Sequence, residues 1–418
     1  MSRETWPQTL RSSAWQFLIW KILISRFCVT LWGAPDGVLH LEQAKGLAAS
    51  PASSALDPLL FKYREEQGEC LNESGVQGYN AGFLGPCGDL TEADLKGADL
   101  RGKDLSGVRL KAADLSGANL SSAILHGADF SQANLADANL TAADLSGATL
   151  LEARLLKAIL EKSDLSRANF SRAALHHIDF RSVKLDSTDF SDAKFFKVNL
   201  SGMDLRKARL KGADVAWSKM NKVNLAQVDL SGGWFDQTEL TGAQLDQANL
   251  EGAMLLKTDL SDALLAGAKL SKAEISQGNL QRARLAGADL SETNLVGADL
   301  SGADLQRANL RGANLMNARI RAGLLQGADL SEATIYGTDF QKADLRGANL
   351  SGGHLGEKGK TVTVRELDVS FHSTNFVGAI FDDKTRLPFD PAEAASRKMV
   401  SASNSKRMIK AVPLQLGK

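Results

Sequence analysis

Thr91-Glu-Ala-Asp-Leu95, Lys96-Gly-Ala-Asp-Leu100, Ser116-Gly-Ala-Asn-Leu120 and Arg346-Gly-Ala-Asn-Leu350 are quintets cut from one stretch, residues 88–355. From Leu90 to Leu355 every fifth residue is apolar, at 54 consecutive positions, 42 of them Leu. Two residues before each stands a small residue, Ala in 34 cases, and no insertion breaks the frame. A period of five suits neither the 3.6 of a helix nor the 2 of a flat strand. In extended backbone the small and the large residue, two apart, share one side. The other three positions are rich in Ser, Gly, Asp, Asn, Lys, Arg and Gln and belong outside. A chain that turns every few residues must coil and bury its apolar row against the next coil.

The pattern resembles the pentapeptide-repeat family, whose motif is A-(D/N)-L-x-x. The resemblance implies an all-β fold, a right-handed quadrilateral β-helix with four quintets per coil, in which residue n lies beneath n+20. At a strand spacing of ~4.8 Å such a solenoid would be roughly 65 Å long. One row then reads Leu105, Leu125, Leu145 and on to Leu345 without substitution, and Phe170 and Phe190 stack in neighbouring coils. Lys103 takes an inward small-residue position, tolerable only if its amine reaches solvent. Between Ile178 and Val228 the small positions enlarge to Ile178, Val183, Val198, Met203, Val223 and Val228, so the middle is packed differently.

The whole chain has 49 basic and 49 acidic side chains in 418 residues, and residues 88–355 hold 31 Lys/Arg against 34 Asp/Glu. Neutrality argues against direct nucleic-acid binding through bulk charge. Some members of the resembled family mimic duplex DNA and act on topoisomerases, which demands one continuous acidic side. No P-loop, G-x-S-x-G, H-E-x-x-H or C-x-x-C occurs. The tight pair His176-His177 lies at outward positions and reads as solvated surface. Neither an enzyme, a metal site, a cofactor nor a small-molecule substrate is expected.

The flanks divide into further segments. Residues 1–34 contain the apolar run 14–32, interrupted by Lys21 and Arg26, each costing about 2.5–3.5 kcal/mol at a bilayer centre. The run is read as an export or membrane-anchoring segment, which places the protein in the cell envelope, with a packed helix in a cytoplasmic protein as the alternative. Residues 35–87 read as linker and N-terminal cap, with a short helix starting at Asp57-Pro58 and stopping at Gly68. Cys70 and Cys87 are close enough in sequence to bridge this cap in an oxidising compartment, and would stay reduced in the cytosol. Residues 356–389 read as a loop and a final coil in a shifted frame, with Phe371, Phe376 and Phe381 five apart. Residues 390–418 read as a capping helix opened by Asp390-Pro391-Ala-Glu393, followed by a basic tail.

Function is read as a non-catalytic protein-interaction scaffold or structural module, the alternative being a DNA mimic that inhibits or protects a topoisomerase or other DNA-processing enzyme. Outward positions are mostly small or polar, yet Phe196, Trp217 and Trp234 are aromatic and fall on adjacent coils. From Arg181 to Lys222 there are ten Lys/Arg against five Asp/Glu, including Arg206, Lys207, Arg209 and Lys211. Exposed aromatics beside cations are common in binding hot spots, so these seven residues form the candidate partner patch.

Overall fold

The computed structural model describes residues 62–64, 69–71, 79–355, 361–364, 367–370 and 374–402. All of them fall in the second of the chain's two units, His40–Lys418.

The repeat produces a regular local structure. The first two residues of a quintet form a turn, and its second residue, from Ser187 and Trp217 to the many glycines at this position, is left-handed with φ between 53° and 74°, except at Ser182 and Lys207. A turn closes when the small residue's N–H donates to the carbonyl of the apolar residue three before it, as Ala113 does to Leu110. That leaves one residue per quintet, the one before the Leu, to pair with a neighbour. It pairs in parallel with the residue twenty positions on, as in Asp94↔Asp114, Asn119↔Asn139 and Asp289↔Asn309. Four such columns result, and they run through Asp104, Asp89, Asp94 and Asp99.

The all-β quadrilateral β-helix with helical caps expected above is corrected on two counts. Strand content is small. Two turn residues in every five keep the pairs single, so the named strands are only two to four residues long. They are β1 (Lys62–Arg64), β2 (Glu69–Leu71), β3 (Asn80–Ala81), β4 (Gly88–Asp89), β5 (Ala174–His176), β6 (Lys194–Phe196), β7 (Thr361–Val364), β8 (Leu367–Ser370), β9 (Ile380–Phe381) and β10 (Val400–Ser401).

The helical caps are the second count. Within the span expected to be helical after Asp57-Pro58, β1 instead pairs antiparallel with β2, Tyr63 opposite Cys70. Asp57-Pro58 itself lies outside the described residues, as do Phe371 and the apolar run 14–32. Cys70 and Cys87, both buried, are disulfide-bonded with Cα atoms 5.7 Å apart, which ties this hairpin to the first coil. Gly88 beside it is obligatory, since an added Cβ would lie 1.8 Å from the Phe83 carbonyl oxygen. At the other end Asp390 does cap a helical element, accepting from the Ala392 amide, but this is the three-residue 3-10 turn Pro391–Glu393. Ala394 and Met399 turn inward to cover the last coil, and the chain continues as β10 along β9. Burial there outweighs helix propagation. Between the coils, the segment read as a loop contains the antiparallel hairpin β7–β8. The coil after it is registered 36 residues on, Asn375 donating to Asp339.

The interior is one continuous apolar core. Leu105, Leu125, Leu145 and the rest of that row to Leu345 are buried throughout. At 20–33 cal/mol per Å², each such leucine contributes about 1.5–3 kcal/mol. Phe170 stacks on Phe190 at 5.4 Å, and Phe190 meets Phe195 at 5.1 Å. Lys103 is exposed at the first coil. Outside, most carboxylates do local structural work. Asp114 accepts from the Ser116 amide and from Asn134 on the next coil, and Asp289 and Asp329 are bonded in the same way.

The enlarged middle leaves a mark. The Asp94 column is unbroken, but each of the other three lacks one pairing: Ile159 with Asp179, Lys184 with Asp204, and Arg209 with Asp229. Each gap adjoins an oversized inward residue, Ile178, Val183 with Met203, and Val228 in turn. Overpacking of this kind is relieved by backbone shifts, although Val198 and Val223 leave the pairings beside them intact.

Candidate functional site

In this part of the stack one edge departs from the rule. The edge carries residues 156–157, 176–177, 196–197 and 216–217 on successive coils. At its turns the closing amide-to-carbonyl bond is absent in three consecutive coils, at Ile178, Val198 and Ser218, among the described residues. The chain there is extended enough for β5 and β6 to pair in parallel, His176 opposite Phe196. The Val198 amide instead donates to the Ser218 hydroxyl at 3.2 Å, and the Val215 carbonyl accepts from the Thr238 hydroxyl at 2.8 Å. Two of the three positions, Ile178 and Val198, carry a branched residue where Ala is usual, and the third carries Ser218.

What the opened edge displays is apolar and cationic. Phe196 is 37% exposed and Trp217 51%, and on the same edge or one turn beyond it stand Leu156 at 41% and Ile159 at 50%. His176 and His177 meet the Phe196 ring edge-on at 6.1 and 5.8 Å, and the Lys197 amine lies 5.2 Å from that ring's centre. Burial holds the His176 imidazole below its ordinary pKa, helped by the charges of His177 and Lys194 and opposed by Asp214. His176 is therefore neutral around pH 7.

The seven residues singled out from sequence do not form one patch. Phe196 and Trp217 share the edge, and half-buried Trp234 lies on the adjoining column above Asp214. Arg206 and Lys207 are on the edge ten residues away, half a coil round and so on the opposite side. Arg209 and Lys211 come between. All four cations are already paired: Arg206 with Asp204 at 2.7 Å, Lys207 with Asp186 at 3.1 Å, Arg209 with Asp189 at 3.5 Å and Lys211 with Asp229 at 3.9 Å. An open groove of about 700 Å³ follows this opposite edge, lined by Asp186, Asp204, Arg206, Lys207, Ala226 and Gln227. Its charges neutralise one another.

Sequence reasoning missed Leu156, Ile159, Arg154 and Lys157. Their signal was available, because Leu156, His176 and Phe196 stand twenty apart at the same outward position. None of Arg154, Lys157, Lys194, Lys197 and Lys219, all exposed, forms an ion pair among the described residues.

Among the described residues no group of three or more His, Cys, Asp or Glu could hold a metal ion, and no helix is long and apolar enough to cross a membrane.

The family model for pentapeptide repeats matches overlapping segments of the chain from residue 89 to residue 352. No curated protein matches. Among solved structures, HetL, a pentapeptide repeat protein involved in heterocyst differentiation regulation from Nostoc sp. strain PCC 7120, is 27% identical over 62% of this chain and 91% of its own, with a TM-score of 0.22. A pentapeptide repeat protein of the Arabidopsis thaliana thylakoid lumen is 33% identical over 27% of this chain and 68% of its own, with a TM-score of 0.14. QnrB1, a plasmid-mediated fluoroquinolone resistance protein, is 20% identical over 53% of this chain and 100% of its own, with a TM-score of 0.29. At these TM-scores the likenesses carry no argument about function. The family match covers well over half of the chain and makes this a non-catalytic repeat module whose partner is a protein. The chain belongs to the pentapeptide-repeat family.

Proposed function

We propose that the chain is an interaction module of the cell envelope that holds a partner protein against the edge carrying Leu156, Phe196 and Trp217. The observation behind this reading is a concentration. Of the nine large apolar side chains exposed among the described residues, four (Leu156, Ile159, Phe196 and Trp217) gather on four adjacent coils. Scattered exposed hydrophobics need no explanation, whereas contiguous ones mark contact surfaces. The envelope location rests on the apolar run 14–32 and on the Cys70–Cys87 bond, since disulfides persist in oxidising compartments. A photo-crosslinking residue placed at Trp217, and separately at Gln227 on the opposite edge, tests the reading in the native cell. A discrete crosslinked protein from position 217 only is the expected result. Equal labelling from both positions would refute it.

A second reading, a DNA mimic directed at a topoisomerase or other DNA-processing enzyme, comes with the family resemblance and has one local support. Residues 229–355 hold 16 Asp/Glu against 11 Lys/Arg, and the column from Glu239 to Asp339 carries Glu239, Asp259, Asp299 and Asp339. Inhibition of purified gyrase supercoiling by the chain, lost in a Glu239→Gln, Asp259→Asn, Asp299→Asn variant, would favour this reading over the first.

A further inference from the structure

We propose that the edge from Arg154 to Lys219 docks an acidic segment of its partner polypeptide, one that carries an apolar anchor residue. The inference rests on the edge being the contact surface and adds the chemistry of what it contacts.

Charge supplies the first argument. On the opposite edge, and in the pairs Lys184–Asp164 and Arg172–Glu152, cations and carboxylates satisfy each other. Along the proposed edge, in residues 154–159, 174–179, 194–199 and 214–219, five cations stand with two carboxylates. One of these, Asp179, is held by Arg181 at 2.7 Å. The other, Asp214, accepts from the Ala216 amide. The excess positive charge is exposed and interleaved with apolar side chains, the arrangement an acidic, partly apolar segment complements.

Trp217 supplies the second. It sits at the left-handed position of its turn, φ 61°, where many coils of the repeat place Gly. A bulky side chain there is strained relative to the right-handed region. Half of the ring is in solvent, so packing within the chain offsets only part of that strain. A purely structural role would be better served by Gly, whereas a large, rigid, exposed ring suits an anchor for a partner.

The opened backbone supplies the third. Where the closing bonds at 178 and 198 are missing, the side chains at 176 and 196 project from extended rather than tightly turned chain, and Trp217 follows them on the next coil from the left-handed position of its turn. An extended segment lying along this edge would meet Leu156, Phe196 and Trp217 in succession.

The test uses the full chain and a short labelled peptide of Glu and Asp around a central Phe, with a Lys-based counterpart, an oligothymidylate and phosphatidylserine-containing vesicles as comparison probes. The acidic peptide is expected to bind preferentially. Affinity should fall at least about tenfold in Lys157→Glu/Lys197→Glu and stay unchanged in Arg206→Glu/Lys207→Glu. Trp217→Gly should weaken binding by a similar factor while raising thermal stability, a combination that a structural role for the ring does not give. Equal affinity in the Lys157/Lys197 variant, or tighter binding of vesicles or oligonucleotide than of peptide, overturns the inference. A crosslink from position 217 to a partner segment without net negative charge also overturns it, while leaving the edge as contact surface intact. Absence of any crosslink there is instead a failure of the underlying reading.

Discussion

Two buried threonines, twenty residues apart in the same column, offer a controlled comparison. The hydroxyl of Thr238 donates to the Val215 carbonyl at 2.8 Å, and that of Thr258 to the Phe235 carbonyl at 2.6 Å. Both side chains are buried and lie on the same inward row. The acceptors differ. The Phe235 carbonyl also receives the Thr238 amide at 3.0 Å, the ordinary closing bond of its turn. The Val215 carbonyl belongs to an opened turn and accepts from nothing else among the described residues. Thr258→Val therefore removes one of two bonds and should cost about 0.5–1.5 kcal/mol. Thr238→Val leaves a buried carbonyl with no partner, a penalty of about 1–3 kcal/mol. The shape is conserved in both, so no cavity complicates the comparison. Chemical denaturation gives the global difference, and hydrogen exchange at the amides of Val198, Ser218 and Thr238 localises it. The expected result is that Thr238→Val is the more damaging by about 1 kcal/mol. If Thr258→Val costs as much or more, the opened turn is not a feature of the protein in solution.

Further outcomes follow from burial and charge. Leu205 is 1% exposed, so Leu205→Asp buries an unpaired carboxylate and should unfold the stack or cost more than about 4 kcal/mol by denaturation, whereas exposed Asp204→Ala should stay within about 0.5. At Asp114, Asp164, Asp329 and Asp344 burial works to raise the carboxyl pKa. Hydrogen bonds from Ser116, Ser166, Ser331 and Arg346, with nearby cations, outweigh it and hold each below its ordinary 3.8. A depressed folded-state pKa means stability that is complete above about pH 4 and lost as pH falls through the lower folded values. Replacing the four by Asn should flatten stability against pH in that acid range, and an unchanged slope would count against these bonds. Free-thiol counting on protein from its own cell should find Cys70 and Cys87 unreactive. Two reactive thiols there would place the protein in a reducing compartment.

Much of this molecule is legible because its repeat is strict. The frame from Leu90 to Leu355 dictates which side chain faces inward, and Leu105 or Leu345 could be assigned to the core from spacing alone. Enlarged residues at Ile178 and Val198 announce a disturbed middle. Which turns open does not follow from size, because those at Val183, Met203, Val223 and Val228 keep their closing bonds while that at Ser218 does not. The caps were less readable. Asp390-Pro391 has the chemistry to start a helix, but burial of Ala394 and Met399 stops it after one turn. The candidate patch failed in a different way. Counting cations between Arg181 and Lys222 ignores that ten residues carry the chain to the opposite side, where Arg206 and Lys207 meet their own carboxylates.

The three missing pairings in the middle of the stack also bear on how it comes apart. A stacked-coil protein behaves as a one-dimensional array in which each coil is coupled mainly to its neighbours. Between Ile159 and Asp229 that coupling is weakened on three columns in turn, each gap about one quintet further round than the last, and only the Asp94 column stays continuous. Melting that starts at either terminus should advance coil by coil and stall here. The protein would then unzip as two cooperative blocks whose boundary coincides with the edge proposed to meet its partner. A bound partner that bridges the weak couplings should merge the two transitions into one.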